Sequence, residues 1–463
     1  MKILLIQPNY REIYSYGGAK ELTPIFPPMG LAYIAAVLKK NYYNVEILEA
    51  NAFNLTHEQI KREIEKYKPD YVGITSTTCM IEEANEIAKL CPEKTKVIVG
   101  GIHASSLPTE TLEEFKAIDM VCIGEGEETF LELAKEIHIS RIKGIAYRKN
   151  DSIITNSPRP LIENLDELPF PARELLPMTK YYSAGSKNKR IDYILSSRGC
   201  PFNCVFCADH LVHGKRFRYR SPENVVKEIE YLISQGVEEF DFIDDNFTLL
   251  KDRAHKICDL IIEKNLKIKW RCSNGVRIDK LDEDLLVKMK QAGCYMLSLG
   301  IESGNDQILQ KMKKGITKEQ ARKAVKLCKE VGIETRGLFM LGNLGENEQT
   351  MLDTINFAKE LDFETATFHI TIPFPKTEYW ELIQKEGSIT ASCWKDYIAY
   401  GNVVFKHGEI NPELLLKLQK QAYKSYYFRP KMAFRKLKQI RSLSGLKDFT
   451  KKALAAVKIS FGK

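Results

Sequence analysis

The chain has 463 residues, 44% hydrophobic and 28% charged, with a formal net charge of +8. That length exceeds what one core usually serves, so two or three domains are expected, and with no run of about 18 apolar residues a membrane-spanning helix is excluded. Eleven cysteines, an odd number in a lysine-rich chain, fit a reducing compartment with metal ligation better than a disulfide framework.

In chain order, the opening Met-Lys-Ile-Leu-Leu-Ile-Gln lacks the basic head and cleavage site of a secretory leader, so a cytoplasmic protein is expected. Residues 1–140 alternate short apolar runs (Lys2 to Gln7, Val45 to Leu48, Tyr71 to Thr75, Val97 to Gly100, Met120 to Ile123) with helical patterns such as Gly30 to Leu38 and Glu82 to Leu90. This predicts a Rossmann-like, doubly wound α/β domain around a buried parallel sheet. Ligands of such sheets sit beyond the carboxyl ends of the strands. Those ends carry Thr75-Ser76, Gly100-Gly101-Ile-His103 and Gly124-Glu125-Gly126, small residues that leave room for a large ligand. No G-x-G-x-x-G follows the first strand, which disfavours a nicotinamide or flavin dinucleotide.

Residues 141–190 read as a linker holding a hairpin, Gly144 to Arg148 and Ile153 to Asn156, and prolines at 169, 171 and 177. From 191 to 400 six strand–helix units recur, with strands near 191–197, 238–243, 267–273, 294–300, 333–341 and 363–371, so an open, partial (β/α)6 barrel is expected. After its first strand comes Arg198-Gly-Cys-Pro-Phe-Asn-Cys-Val-Phe-Cys207. Zinc sites normally use four ligands. Three soft thiolates (Cys200, Cys204, Cys207) with no fourth ligand nearby suit an iron–sulfur cluster that keeps one iron open, a structural zinc loop being the alternative. The later strand ends are polar or glycine-rich: Ile243-Asp244-Asp245-Asn246, Cys272-Ser273-Asn274, Gly300-Ile-Glu302 and Leu341-Gly342-Asn-Leu-Gly345.

The cysteine spacing, with Phe206 before the last thiol, closely resembles the signature of radical S-adenosylmethionine enzymes. Together with Pro27-Pro-Met-Gly-Leu-Ala-Tyr-Ile, Val99-Gly-Gly-Ile-His-Ala and Gly124-Glu-Gly-Glu-Glu-Thr-Phe, nearly the whole chain resembles their cobalamin-binding subfamily. The resemblance implies a 4Fe-4S cluster on the three cysteines, S-adenosylmethionine on its open iron and cobalamin in the N-terminal domain. It sets Asp244, Asp245 and Asn246 toward the methionine amino group, Ser273 and Asn274 toward the ribose, and Glu302 beside the cofactor, where Ser273 and Glu302 serve positioning rather than stability. Lys314 would face the methionine carboxylate or else be a solvated lysine at a helix end, and Phe206 and Gly342 would lie near adenine. Cobalamin would be held by Thr75, Ser76, Gly100, Gly101, Gly124, Glu125 and Gly126. The D-x-H-x-x-G cobalt-ligand motif is absent, leaving His103 as candidate ligand or as a loop-bonded histidine. The activity implied is methylation of an unactivated carbon in a small-molecule or lipid-like substrate. The alternatives are cyclisation, ring modification or oxidation by the same parts, with or without cobalamin, and a non-catalytic corrin-binding regulator.

His369 or Tyr379 is a candidate to face the substrate, against packing as ordinary aromatics. Residues 401–463 form a helical C-terminal region: a helix from Pro412 to Phe428, then a basic tail. From Arg429 to Lys463 there are eleven cations and one acid, Asp448, so the preceding 428 residues carry −2, the difference between +8 and +10. Leu446, Phe449, Ala453, Val457 and Phe461 fall on one helical face. With Tyr426-Tyr-Phe428 upstream, this predicts reversible contact with an anionic membrane, the alternatives being a merely solvated tail or, last, a nucleic-acid contact. The expected partners are that membrane and an electron donor such as a flavodoxin or ferredoxin; no nucleic acid is expected.

Overall fold

The computed structural model describes residues 1–14, 24–183, 185–188 and 190–439. Strands β1 (Lys2–Gln7), β2 (Asn44–Glu49), β3 (Tyr71–Thr75), β4 (Lys96–Gly100) and β5 (Met120–Cys122) form a parallel sheet in the order β2-β1-β3-β4-β5. Its strands are apolar because helices cover both faces: all but the first residue of β1 are buried. The helix Met29–Lys40 buries nine residues against one face. The hairpin expected in the linker, β6 (Ile145–Lys149) and β7 (Ser152–Thr155), extends this same sheet with antiparallel pairing. The residues after it are fastened to the second half of the chain: Arg173, buried, donates to Asp192 at 2.8 Å and to Glu228 at 2.6 Å.

The second sheet is the open barrel. It begins with β8 (Ile191–Ile194). The short strands β9 (Ser197–Arg198) and β10 (Arg218–Tyr219) then pair with each other and close the cysteine loop between them. It continues with β11 (Glu239–Phe242), β12 (Lys269–Val276), β13 (Cys294–Glu302), β14 (Glu334–Leu341) and β15 (Thr365–Ile370). The parallel order β15-β14-β13-β12-β11-β8 leaves β8 and β15 as edges, so the barrel does not close. Its helices begin where the sequence signals: Ser221 accepts from Asn224 N at 3.2 Å to cap Pro222–Ser234.

The helix Pro412–Tyr427 lies along the β15 edge. Ala366 N donates to the Tyr427 hydroxyl at 3.0 Å, Phe368 N to the Tyr423 hydroxyl at 3.1 Å, and Gln419 donates to Phe368 O at 2.8 Å. This corrects the expectation that Tyr426-Tyr-Phe428 settles in a membrane. Tyr426 is buried and donates to Phe363 O at 2.7 Å, Tyr427 serves the strand edge, and Phe428 alone of the three is half exposed. The first cations of the basic tail also pair with the protein itself, with Lys431 at 2.8 Å and Arg435 at 2.7 Å from Asp362. The apolar face from Leu446 to Phe461 lies outside the described residues. Among the described residues no helix is long and apolar enough to cross a membrane.

Candidate cofactor site

Cys200, Cys204 and Cys207 are free, half-buried thiols on the loop between β9 and β10. The loop is anchored from the barrel side: Val205 N donates to Met312 O at 3.1 Å, Tyr379 N to Val205 O at 2.9 Å, and Gly199 N to Asp245 at 2.9 Å. Downstream, His213 Nδ1 lies 3.1 Å from Asp209 and 3.6 Å from Asp245, which ties the loop's far end to the end of β11. Burial works against the charge on His213, yet the two carboxylates outweigh it and raise the ring to about 9. Burial pushes the Cys207 thiol up to about 12, and Asp209, Cys204 and Cys200 add repulsion. Burial raises the Cys200 thiol as well, and three soft sulfur donors on one loop form a set that fits iron.

Around this loop the predicted residues divide. Glu302 and Lys314, both buried, pair with each other at 2.8 Å, and the Lys314 ammonium sits 5.9 Å from the centroid of the Phe206 ring. Glu302 takes φ 68, a left-handed conformation that costs a non-glycine residue on the order of 1 kcal/mol or more and tends to be kept at functional sites. Its carboxylate fits because Gly300 is bare: a Cβ there would lie 2.9 Å from Glu302 Oε1 and 3.0 Å from Lys314 Nζ. Ser273 N donates to Asp241 at 3.0 Å, and Asn274 reaches back to Asp244 O at 3.3 Å. Asp244 itself turns inward: Ser196 N and the Ser197 hydroxyl occupy its carboxylate at 2.6 and 2.8 Å, so it braces β8 against β11. Asn246 is fully buried with its Nδ2 unpartnered. At Gly342 the space a Cβ would take is filled by Leu415 and Phe405, while Glu346 accepts from Gly342 N at 2.7 Å.

The carboxyl ends of the two sheets face one another across a cavity of about 380 Å³. From the first sheet Thr75, Gly100, Gly101, Gly124, Glu125 and Gly126 line it; from the second, Leu195, Arg198, Ile243, Asp245 and Asn274, with His213 beside them. Gly101 has no substitute, since at φ 105 a Cβ would sit 2.4 Å from Ser76 O. This glycine-lined, mostly apolar cavity between two strand-end surfaces fits a large planar ligand such as the corrin of cobalamin. Ser76 and His103 lie outside the lining. Ser76 N bonds Gly100 O at 2.8 Å. His103 is buried edge-on against Trp394, ring centroids 4.7 Å apart, with Nδ1 unpartnered. Burial lowers its pKa to about 4, so the ring is neutral.

Sequence reasoning missed what joins the two halves. Arg198, two residues before the first cysteine, donates to Glu125 at 2.9 Å and to Glu127 at 2.6 Å, and Arg218 donates to Glu125 at 2.9 Å, all buried. Burial would raise the Glu125 carboxyl, but Arg198 and Arg218 overcome it and hold it below the usual range. The only signal was acids alternating with glycine at 124–127 and an arginine flanking the cysteine loop. Trp394 was missed too: its indole donates to Glu114 at 2.9 Å and its backbone N to Glu82 at 2.8 Å, pinning the chain beyond β15 onto the first domain.

A family model described as the Radical SAM superfamily matches residues 194–358, and one described as the B12 binding domain matches residues 18–134. The chain is 38% identical to an uncharacterized methyltransferase of Pyrococcus horikoshii over 93% of its own length and 94% of that protein. It is 31% identical to an anaerobic magnesium-protoporphyrin IX monomethyl ester cyclase of Rubrivivax gelatinosus, over 82% of this chain and 70% of that one. In fold it is similar to the cobalamin-dependent S-adenosylmethionine radical enzyme OxsB, solved with aqua-cobalamin and S-adenosylmethionine bound. The TM-score is 0.74 at 18% identity, covering 99% of this chain and 71% of that one.

Proposed function

The chain belongs to the radical S-adenosylmethionine enzymes that carry a B12-binding domain, and from that premise we propose that it methylates an unactivated carbon of a small-molecule or lipid-like substrate. Its cofactors are a 4Fe-4S cluster, S-adenosylmethionine and cobalamin. When bound, they supply reductive cleavage of a sulfonium, hydrogen abstraction from carbon and a transferable methyl group. The observation that carries the reading is the single cavity: residues of the glycine-lined sheet and residues beside the cysteine loop line the same space. Donor and acceptor can therefore be held in contact, where orientation contributes most to rate.

Within that reading, Cys200, Cys204 and Cys207 hold the cluster. Glu302 and Lys314, already locked together, present a carboxylate and an ammonium to the amino acid end of S-adenosylmethionine. Ser273 and Asn274 border the ribose, and Gly100, Gly101, Gly124 and Gly126 admit the corrin. Asp245 fixes the backbone at Gly199, and so the first cysteine, while Arg198 ties that loop to the corrin side. The half-buried cysteine loop leaves a face for an electron donor of the flavodoxin or ferredoxin kind. The membrane reading now rests on the tail cations other than Arg429, Lys431 and Arg435, which pair with Asp362; six of those remaining fall in residues 440–463. Vesicle co-sedimentation of the full chain against a chain ending at Gln439 tests it, and equal sedimentation of both rejects it.

Anaerobically reconstituted enzyme incubated with methyl-deuterated S-adenosylmethionine and cell extract tests the main reading. Label appearing on carbon in a small molecule or lipid is expected. The identity to a cyclase favours one other outcome, a product that loses hydrogens and gains no label; finding that instead would overturn methyl transfer.

A further inference from the structure

The inner faces of two neighbouring barrel strands are only partly covered by the protein. On β14, Thr335, Gly337, Phe339 and Leu341 are buried beneath the helices, while Glu334, Arg336, Leu338 and Met340 point to the other face and stay partly exposed. On β15, Thr365, Thr367 and His369 do the same. The parallel register sets Arg336 between Ser298 on β13 and Thr365 on β15, with Thr367 beside Leu338 one step nearer the carboxyl end.

The other charged groups of this wall have partners. Asp241 pairs with Arg271 at 2.8 Å, Glu302 with Lys314 at 2.8 Å, and Glu334 with Lys187 at 2.7 Å. Arg336 differs: among the described residues it has neither a carboxylate within ion-pair distance nor a hydrogen-bond acceptor. The hydroxyls around it are equally unspent. Thr367 Oγ1 is buried without a partner, and the fully buried Ser298 Oγ meets only the Met296 sulfur at 3.9 Å. On the far side His369 is bonded to the Tyr400 hydroxyl; burial first, and the Arg336 charge second, lower its pKa to about 4, so no second cation competes there.

A guanidinium presents a planar fork of donors that matches the two oxygens of a carboxylate or phosphate. Donors left unmet in a partly desolvated wall are costly unless a ligand meets them. We propose that Arg336, with the hydroxyls of Ser298 and Thr367, is the anchor for an oxyanion on the substrate, so that the substrate carries a carboxylate or a phosphate. At about 3.3 Å per residue, the Arg336 backbone lies about 16 Å below the carboxyl end of β14. The anion is therefore held deep and the reacting carbon toward the cysteine loop and the cavity. A bare hydrocarbon chain would leave Arg336 unmet; a lipid precursor or small metabolite with a charged end would not. This inference rests on the barrel being the substrate chamber, as proposed above.

The test uses full-length, cluster-loaded holoenzyme titrated by calorimetry with pyrophosphate in one arm and succinate in the other. Wild type is compared with Arg336→Gln, Arg336→Lys and Thr367→Val, and each variant is assayed in parallel for substrate-independent cleavage of S-adenosylmethionine. Expected is saturable binding of at least one probe, weakened about tenfold or more in Arg336→Gln, less in Arg336→Lys, and several-fold in Thr367→Val, with cofactor cleavage unchanged. The arm that binds tells phosphate from carboxylate. Binding equal in wild type and Arg336→Gln, or no binding of either probe by wild type, overturns the anchor. Arg336→Lys keeps the charge and decides the matter if the glutamine variant does not fold. Anion binding that follows this pattern in an enzyme that transfers no methyl would sink the methyl-transfer reading and leave the anchor standing.

Discussion

Two polar regions lie a few strands apart and are built on opposite terms. At the seam between the sheets, Arg198, Arg218, Glu125 and Glu127 are buried and mutually bonded, with Arg218 Nε alone of their buried polar atoms left without a partner. At the inner wall of β14 and β15, Arg336, Thr367 and Ser298 are left without partners that suit them. A network whose charges are paired fixes the position of the loops it joins, and a guanidinium with no carboxylate marks where something else is meant to arrive. The seam holds the cofactors' frame, and the wall waits for the molecule being changed.

The most severe way to break this arrangement is to remove what the seam positions. Replacing any one of Cys200, Cys204 or Cys207 by Ala is expected to abolish the visible iron–sulfur absorbance and 5'-deoxyadenosine formation, and turnover surviving in all three variants would rule the site out. Next in size is the seam itself. Arg198→Ala strands two buried carboxylates at a cost of roughly 3–5 kcal/mol, and thermal melts together with corrin retention on gel filtration should both fall. Arg198→Met with Glu125→Gln and Glu127→Gln should recover part of the stability without restoring retention; recovery of neither would mean the network is not the link.

A third test sharpens the contrast from behind the wall. Burial raises the Glu346 carboxyl to about 8 although Asn343 and Gly342 donate to it. Because the folded value lies above the unfolded one, this group's contribution is complete below about pH 4.5 and is lost as pH rises through 8, at no more than about 1.4 kcal/mol per unit. Glu346→Gln should flatten the melting temperature against pH across that window, and an unchanged slope would show that another group sets it. Smallest is Ser273→Ala, expected to move the melting temperature by roughly 2–4 °C yet to weaken S-adenosylmethionine binding. Loss of stability with affinity intact would place Ser273 with the framework instead.

How much of this was legible in the sequence follows from the range of each interaction. Strand alternation is local, so β1 and β3 appear at their observed limits and all six barrel strands near theirs. The cysteine triad is local as well. The seam was not legible, because Arg198 meets Glu125 across 73 positions and Arg218 meets it across 93, and nothing in either stretch names the other. The surroundings of His103, read as a candidate ligand or a loop-bonded histidine, were not legible for the same reason: its neighbour Trp394 lies far along the chain. Asp244 and Asp245 are adjacent and identical in type, yet in the loop after β11 one accepts from Ser196 and Ser197 while the other lines the cavity.

The cover of tyrosine hydroxyls and Gln419 along β15 has a consequence for how the chain is made. The exposed donors and acceptors of an edge strand are templates for pairing with another molecule. Here the protecting groups lie 51 to 61 residues further on, in a helix that leaves the ribosome last among the barrel's parts. Until that helix is synthesised and docked, the barrel presents a sticky border to its siblings. A chain stopped before Pro412 should therefore form concentration-dependent aggregates in sedimentation while the full chain stays dispersed.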